Sequence, residues 1–194
     1  MRHPLVRFLL FMVIGLITPF IGETQFSVFI RGDVENLIGS VVFNTIFLIP
    51  SFGIVCLVRW LIRDRRIALG VLTVIFGTIG LMVEWFLIGN SPWGNPDAHQ
   101  PAMFAFWACM IVVPVVLIEP DARLARLKRV VLIVGAAYTI MAVLGQILLP
   151  SADAQFVFHI WTFIYGYMGM LALCLGGYMW KLSGSVPVPA SQPE

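Results

Sequence analysis

Six runs of apolar residues, at 4–22, 37–62, 67–89, 102–118, 130–149 and 156–180, take up most of this chain. Each is close to the ~20 apolar residues that an α-helix needs to cross the hydrocarbon core of a bilayer. Inside lipid the backbone N–H and C=O groups have no water to bond to, so a run of this length is stable there only as a helix or in a closed barrel. The runs are continuous and do not alternate, which selects the helix. The expected fold is therefore all-α, a polytopic transmembrane bundle of about six helices. Composition agrees: 60% of residues are hydrophobic and 11% are charged, against roughly 25% charged in a soluble domain. No length is left over for a soluble module. Residues 1–182 are expected to form a single six-helix domain, and 183–194, "SGSVPVPASQPE", a disordered Pro- and Ser-rich C-terminal tail.

The basic residues fix an expected orientation. Arg2 and Arg7 open the first run. Arg59, Arg63, Arg65 and Arg66 lie between the second and third, Arg123, Arg126, Lys128 and Arg129 between the fourth and fifth, and Lys181 after the sixth. Eleven of the 12 Lys and Arg residues thus fall on alternate connections, and Arg31 alone falls on the other side. The positive-inside rule then places both termini in the cytoplasm, in a bacterial-type plasma membrane. Arg2, His3 and Arg7 ahead of an apolar run resemble the start of a signal peptide, but "ITPFIGET" offers no small-residue cleavage site, so an uncleaved first span is expected. Residues 23–36 are expected to form the first outer loop, either plain or with Phe26, Phe29 and Ile30 resting at headgroup depth as a short amphipathic piece. The partners implied are the bilayer itself, anionic lipid headgroups at the basic loops and other membrane subunits, with no nucleic acid.

Ionisable groups inside a membrane are costly and often functional. Glu84 and His159 are the two leading candidates, both expected near the outer ends of their helices, and Asn44 and Gln146 fall in the outer halves of theirs. The stretch "VEWFLIGNSPWGNPDAHQP" adds Trp93, Asp97 and His99 from a loop stiffened by Pro92, Pro96 and Pro101. "SPWG" reads as a turn. The fourth helix is expected to start either at Asn95 and Pro96 or at Pro101. Gly70, Thr73, Gly77, Gly80 and Glu84 share one stripe of the third run. His159, Thr162, Gly166, Gly169 and Gly176 fall on a similar stripe of the sixth. Small residues let helices approach closely in lipid. Antiparallel packing of helices three and six would let the two seams meet and turn Glu84 toward His159, beneath the 90–101 loop. The plainer alternative has Glu84 snorkelling to the outer interface with Trp85 and Trp93 as belt aromatics.

Cofactors cannot be named from these residues. His99 and His159 are the possible haem ligands, with a loop histidine a poor one, and the spacing of Asp97, His99, Glu84 and His159 has no metal-site signature. Cys56, Cys109 and Cys174 lie inside apolar runs and read as small packing residues. GxGxxG, Walker A, HExxH and paired CxxC motifs are all absent from the sequence. Three functional classes follow, in order of expectation. The first is an accessory or assembly subunit acting through helix–helix contacts. The second is a small carrier or binder with an outward-facing polar pocket for a small solute, quinone or lipid. The third is an exoplasmic-face enzyme using Glu84 and a histidine as acid and base.

Overall fold

A computed structural model describes residues 3–94 and 99–183. Among these residues there are six long helices and no strand. Helix α1 covers Pro4–Glu23 and continues as a π-helical turn, Thr24–Ile30. Helix α2 is Val34–Leu61. Helix α3, Arg65–Val83, also continues as a π-helical turn, Glu84–Ile88. Helix α4 is Gln100–Ile118, α5 is Ala125–Leu148, and α6 is Ala152–Ser183. Each of the six is long and apolar enough to cross a membrane.

The helix starts follow from local chemistry. The Asp33 carboxylate accepts from the Asn36 N–H at 2.9 Å and starts α2. Asp64 accepts from the Arg66 N–H at 2.8 Å and starts α3. A side-chain oxygen at this position satisfies one of the otherwise unbonded N–H groups of a first helical turn. His99 does the same for α4, its Nδ1 accepting from the Ala102 N–H at 3.2 Å. Pro101 follows in the first turn, where a missing N–H costs nothing, so of the two expected starts the later one is found. At the other end of α3, Gly89 takes φ +89°, a left-handed turn that suits glycine. The expected turn at 91–94 is present, with the Gly94 N–H donating to the Ser91 carbonyl at 3.2 Å.

The expected outer loop at 23–36 needs correction. Residues 24–30 stay helical, and the connection shrinks to 31–33. The reason is that the polar residues of this stretch find partners inside the bundle. Ser27 is fully buried and accepts from Asn36 Nδ2 at 2.6 Å.

Helix α4 forms the centre. In its apolar window 78% of residues are buried, against 17–33% in the other five helices. A helix that is apolar all round can be enclosed on every side without burying an unpaired polar side chain. Its main neighbours are α3, α6 and α1; α2 rests chiefly on α1, and α5 on α6. This arrangement overturns the expected meeting of the small-residue stripes. Gly77 and Gly80 of α3 instead seat Phe104 and Trp107 of α4, and Gly166 of α6 faces Tyr138 of α5. Gly70 and Gly176 have no neighbour where a Cβ would stand, so they make no helix seat, and Gly169 makes only a loose approach to the Tyr138 hydroxyl. Thr73 is buried, with its hydroxyl turned back to the Leu69 carbonyl at 2.8 Å. Four seats were not expected: Gly15 against Leu48, Gly22 against Tyr167, Gly145 against Phe158, and Gly177 against Leu127.

Candidate functional site

The end of the bundle away from the basic loops holds two polar clusters. The first is built on the second of the two π-helical turns and the other on the first, an irregularity often found at functional sites. Glu84 begins the second of these turns, is 7% exposed and points inward. Its Oε1 accepts from Trp107 Nε1 at 3.0 Å, and its Oε2 from Asn90 Nδ2 at 2.8 Å. The Trp107 ring is held edge-on by Phe43, Phe47 and Phe106. Glu23, just before the first π-helical turn, faces the Ser40 hydroxyl and lies within electrostatic reach of Glu84 and Arg31. Asn44, buried, donates to Ser40 at 3.3 Å.

The second cluster is centred on His159, which is 6% exposed. Its ring stacks on Phe26 at 5.5 Å and leans on Phe163 at 6.0 Å. Its Nδ1 is buried with no hydrogen-bond partner. Arg31 covers the Phe26 ring, its guanidinium 4.2 Å from the centroid. Nearby, Gln25 Nε2 donates to the Ala142 carbonyl at 3.1 Å and Thr162 Oγ1 donates to Gln25 Oε1 at 3.4 Å. Gln146 Nε2 donates to the Gln155 carbonyl at 3.2 Å, and Gln155 Nε2 returns a bond to the Gln146 carbonyl at 3.0 Å.

These contacts divide the expected pocket. Glu84 and Asn44 belong to the first cluster, His159, Gln146 and Thr162 to the second, and Glu84 and His159 have separate partners. Trp93 is 79% exposed and packs edge-on against Trp85 at 5.4 Å, so it covers no pocket. His99 is exposed and occupied as a helix cap. Asp97 lies outside the described residues. Among the described residues no three His, Cys, Asp or Glu side chains converge as a metal site would require. Cys109 and Cys174 are buried as expected of packing residues, whereas Cys56 is exposed.

A deeper apolar space lies elsewhere. A cavity of 510 Å³ runs between α1 and α5, with α4 and α6 as its floor. Ile14, Ile21, Val131 and Phe163 are among its apolar walls, Gln25 and Thr162 bound one end, and Lys128 lines the other. The polar groups in between are already bonded within the protein. Tyr167 Oη donates to the Thr18 carbonyl at 2.7 Å, and the Thr18 and Thr139 hydroxyls turn back to their own helices. What the cavity presents is therefore mostly hydrocarbon.

At the basic end Glu119, 3% exposed, gathers the helix ends. Arg59 of α2 donates to its carboxylate, and Arg65 of α3 approaches it at 3.3 Å. Tyr178 of α6 lies 3.4 Å away, and Lys128 of α5 donates to the Glu119 carbonyl. Next to this hub, hydrogen bonds from Arg123 hold the Asp121 carboxyl down from its ordinary 3.8 to about 2. The sequence reading assigns this region topology and anionic lipid headgroups, and not a hub of helix ends. A lone carboxylate ending an otherwise apolar run, facing two basic connections, was the available clue.

No protein-family model, curated protein or solved structure matches this chain.

Proposed function

We propose that this is a multi-pass membrane protein that holds one long apolar chain of a membrane amphiphile in the cleft between α1 and α5. Its basic end and both termini face the cytoplasm, in a bacterial-type plasma membrane. The observation that carries the reading is the cleft itself, 510 Å³ of mostly apolar space with polar groups at its two ends. Binding sites for small molecules fall between about 300 and 1,000 Å³ and are mainly apolar with few polar groups. A dry cavity of about 150 Å³ accepts benzene, so this one has room for about twenty carbons. Along α5 the wall runs from Lys128 to Ala142, about 21 Å at 1.5 Å per residue. An extended hydrocarbon or isoprenoid chain has that shape, and a compact polar solute does not. The sequence-based alternative of a binder is thus kept, with the polar outward pocket replaced by an apolar lateral one. As an acid–base site Glu84 has less support, because both its oxygens are engaged by Trp107 and Asn90.

Filling the cleft tests the reading. Gly135 lines it, and a Gly135→Phe ring would occupy much of its width. The wild-type protein, purified in mild detergent, should retain one amphiphile per chain by native mass spectrometry. The Gly135→Phe variant should retain none. Equal retention by both would refute the proposal. The orientation is tested separately by labelling single cysteines in intact cells, where a cysteine at Gly94 should react without permeabilisation and one at Arg63 should not.

The accessory-subunit reading keeps one specific support. Gly70, with no neighbour at its Cβ position, opens onto a shallow groove with Val74 and Met179, a surface on which another small-residue helix would fit. A stoichiometric partner lost on Gly70→Phe would favour it.

A further inference from the structure

We infer that the chain held in the cleft belongs to a membrane lipid with an anionic phosphate headgroup, seated at the basic end between Arg7 and Lys128. The inference rests on the proposed chain-binding cleft and adds which end takes the headgroup and what charge it carries.

The far end of the cleft is bridged. Gln25 of α1 donates to the Ala142 carbonyl of α5 at 3.1 Å and is itself hydrogen-bonded by Thr162 of α6. That bridge joins the two walls and engages Gln25 and Thr162, the polar side chains that line this end. The basic end differs. Lys128 lines the cleft here, and its ammonium, which also donates to the Glu119 carbonyl, adds positive charge at this end. On the opposite wall, Arg7 stands on the same face of α1 as Ile14, Thr18, Ile21 and Gln25, since intervals of 7, 11, 14 and 18 residues return to one side of a 3.6-residue helix. Arg7 thus continues the α1 wall beyond Ile14 by about 10 Å, two turns. It is half-buried, and its Nε is buried without a hydrogen-bond partner. Arg126 and Arg129 flank Lys128 on the exposed surface of α5. Two cations on facing walls complement a phosphate, to which arginine donates in a planar fork. A zwitterionic headgroup would place its own cation among them.

Native mass spectrometry can separate the two layers of this reading. The full chain is incubated with equal amounts of dioleoyl phosphatidylglycerol and dioleoyl phosphatidylcholine in mild detergent. Each basic residue near a lipid surface changes anionic lipid binding by about five-fold, so two amount to about thirty-fold. Wild type should bind one phosphatidylglycerol in preference to phosphatidylcholine. Arg7→Gln should cut that preference about five-fold, and Arg7→Gln with Lys128→Gln should abolish it while leaving one lipid bound. Lys128 also contacts Glu119, so if the double variant fails to fold, Arg7→Gln alone decides. A wild type that binds one lipid without headgroup preference, or an Arg7→Gln variant with undiminished preference, overturns the headgroup inference and leaves the cleft reading standing. A Gly135→Phe variant that binds one lipid as wild type does sinks both.

Discussion

Substitution of Gly80 by alanine adds one methyl group at the tightest seat on α3. That carbon would stand 1.9 Å from Trp107 Cγ and 2.2 Å from Trp107 Cβ, where real contacts are essentially never under 3.0 Å. Both atoms are at the root of the side chain, so no rotamer change removes the clash. Either α3 moves off α4 or the indole leaves its place. Overpacking of this kind costs about 1–3 kcal/mol, and a clash against the fixed root of a fully packed ring belongs at the upper end. Displacing the ring also lengthens the 3.0 Å bond from Trp107 Nε1 to Glu84. An unsatisfied buried polar group costs a further ~1–3 kcal/mol. The expected loss is therefore about 4 kcal/mol, close to a thousand-fold in the folding equilibrium. Gly70→Ala on the same stripe meets nothing within 4 Å and should gain up to ~1 kcal/mol from helix propensity. Reversible unfolding in mixed detergent and dodecyl sulfate micelles, followed by tryptophan fluorescence, compares the two. A Gly80→Ala variant as stable as Gly70→Ala would refute this account of α3–α4 packing.

Three further outcomes are expected. Glu84→Leu should lower stability by about 1–3 kcal/mol, because Trp107 Nε1 loses its buried acceptor, while Glu84→Gln keeps an acceptor and should unfold near wild type; equal losses would show that a retained acceptor for Trp107 is not what stabilises this site. Glu119→Ala should cost about 3 kcal/mol, the low end for breaking a buried ion pair because Arg65 is half exposed, and should increase protease access to the basic connections. For Asp121 the folded carboxyl is held at about 2 against an ordinary 3.8, so its contribution is present above about pH 4 and is lost as pH falls toward 2. The melting difference between wild type and Asp121→Asn should stay constant from pH 7 to 5 and vanish between about pH 4 and 2.

The six helices were legible because length and apolarity mark a span however it packs. The order of packing was not. Residues 102–118 carry hardly a polar side chain, which suits a central helix, but in lipid an apolar surface is equally at home outside the bundle. The inward turn of Glu84 was readable from the stripe of Gly77 and Gly80. The identity of the helix seated there was not, because a glycine reports that something approaches closely without saying which element does. Gln25 and Ser27 were misplaced for a related reason. Polar residues just past an apolar run look like loop until their partners are in place: Ala142, from a distant part of the chain, for Gln25, and Asn36, nine residues on, for Ser27. The cleft left no sequence signal at all. It arises from the spacing of α1 and α5 over α4 and α6, a property of four helices that no single segment encodes.

The general expectation that intramembrane polar groups mark the working site has to be weighed here against what those groups touch. Glu84 fixes Trp107 at one end of α4, and Glu119 draws Arg59 and Arg65 to the other. Both carboxylates therefore hold the central helix to its neighbours, and Gly77 and Gly80 let its large side chains sit close. These ties act on α2, α3, α4 and α6. The walls of the cleft are α1 and α5, and the bond from Gln25 to the Ala142 carbonyl joins them at the far end. A bundle built this way is tied along its centre, and on the proposed reading its open side takes a chain from the membrane. Because buried polar side chains with satisfied bonds stabilise and an apolar void does not, the cavity is the feature that the packing alone fails to justify. A bound hydrocarbon chain would restore the contacts its walls lack, which is why function is assigned to the cleft and architecture to the polar clusters.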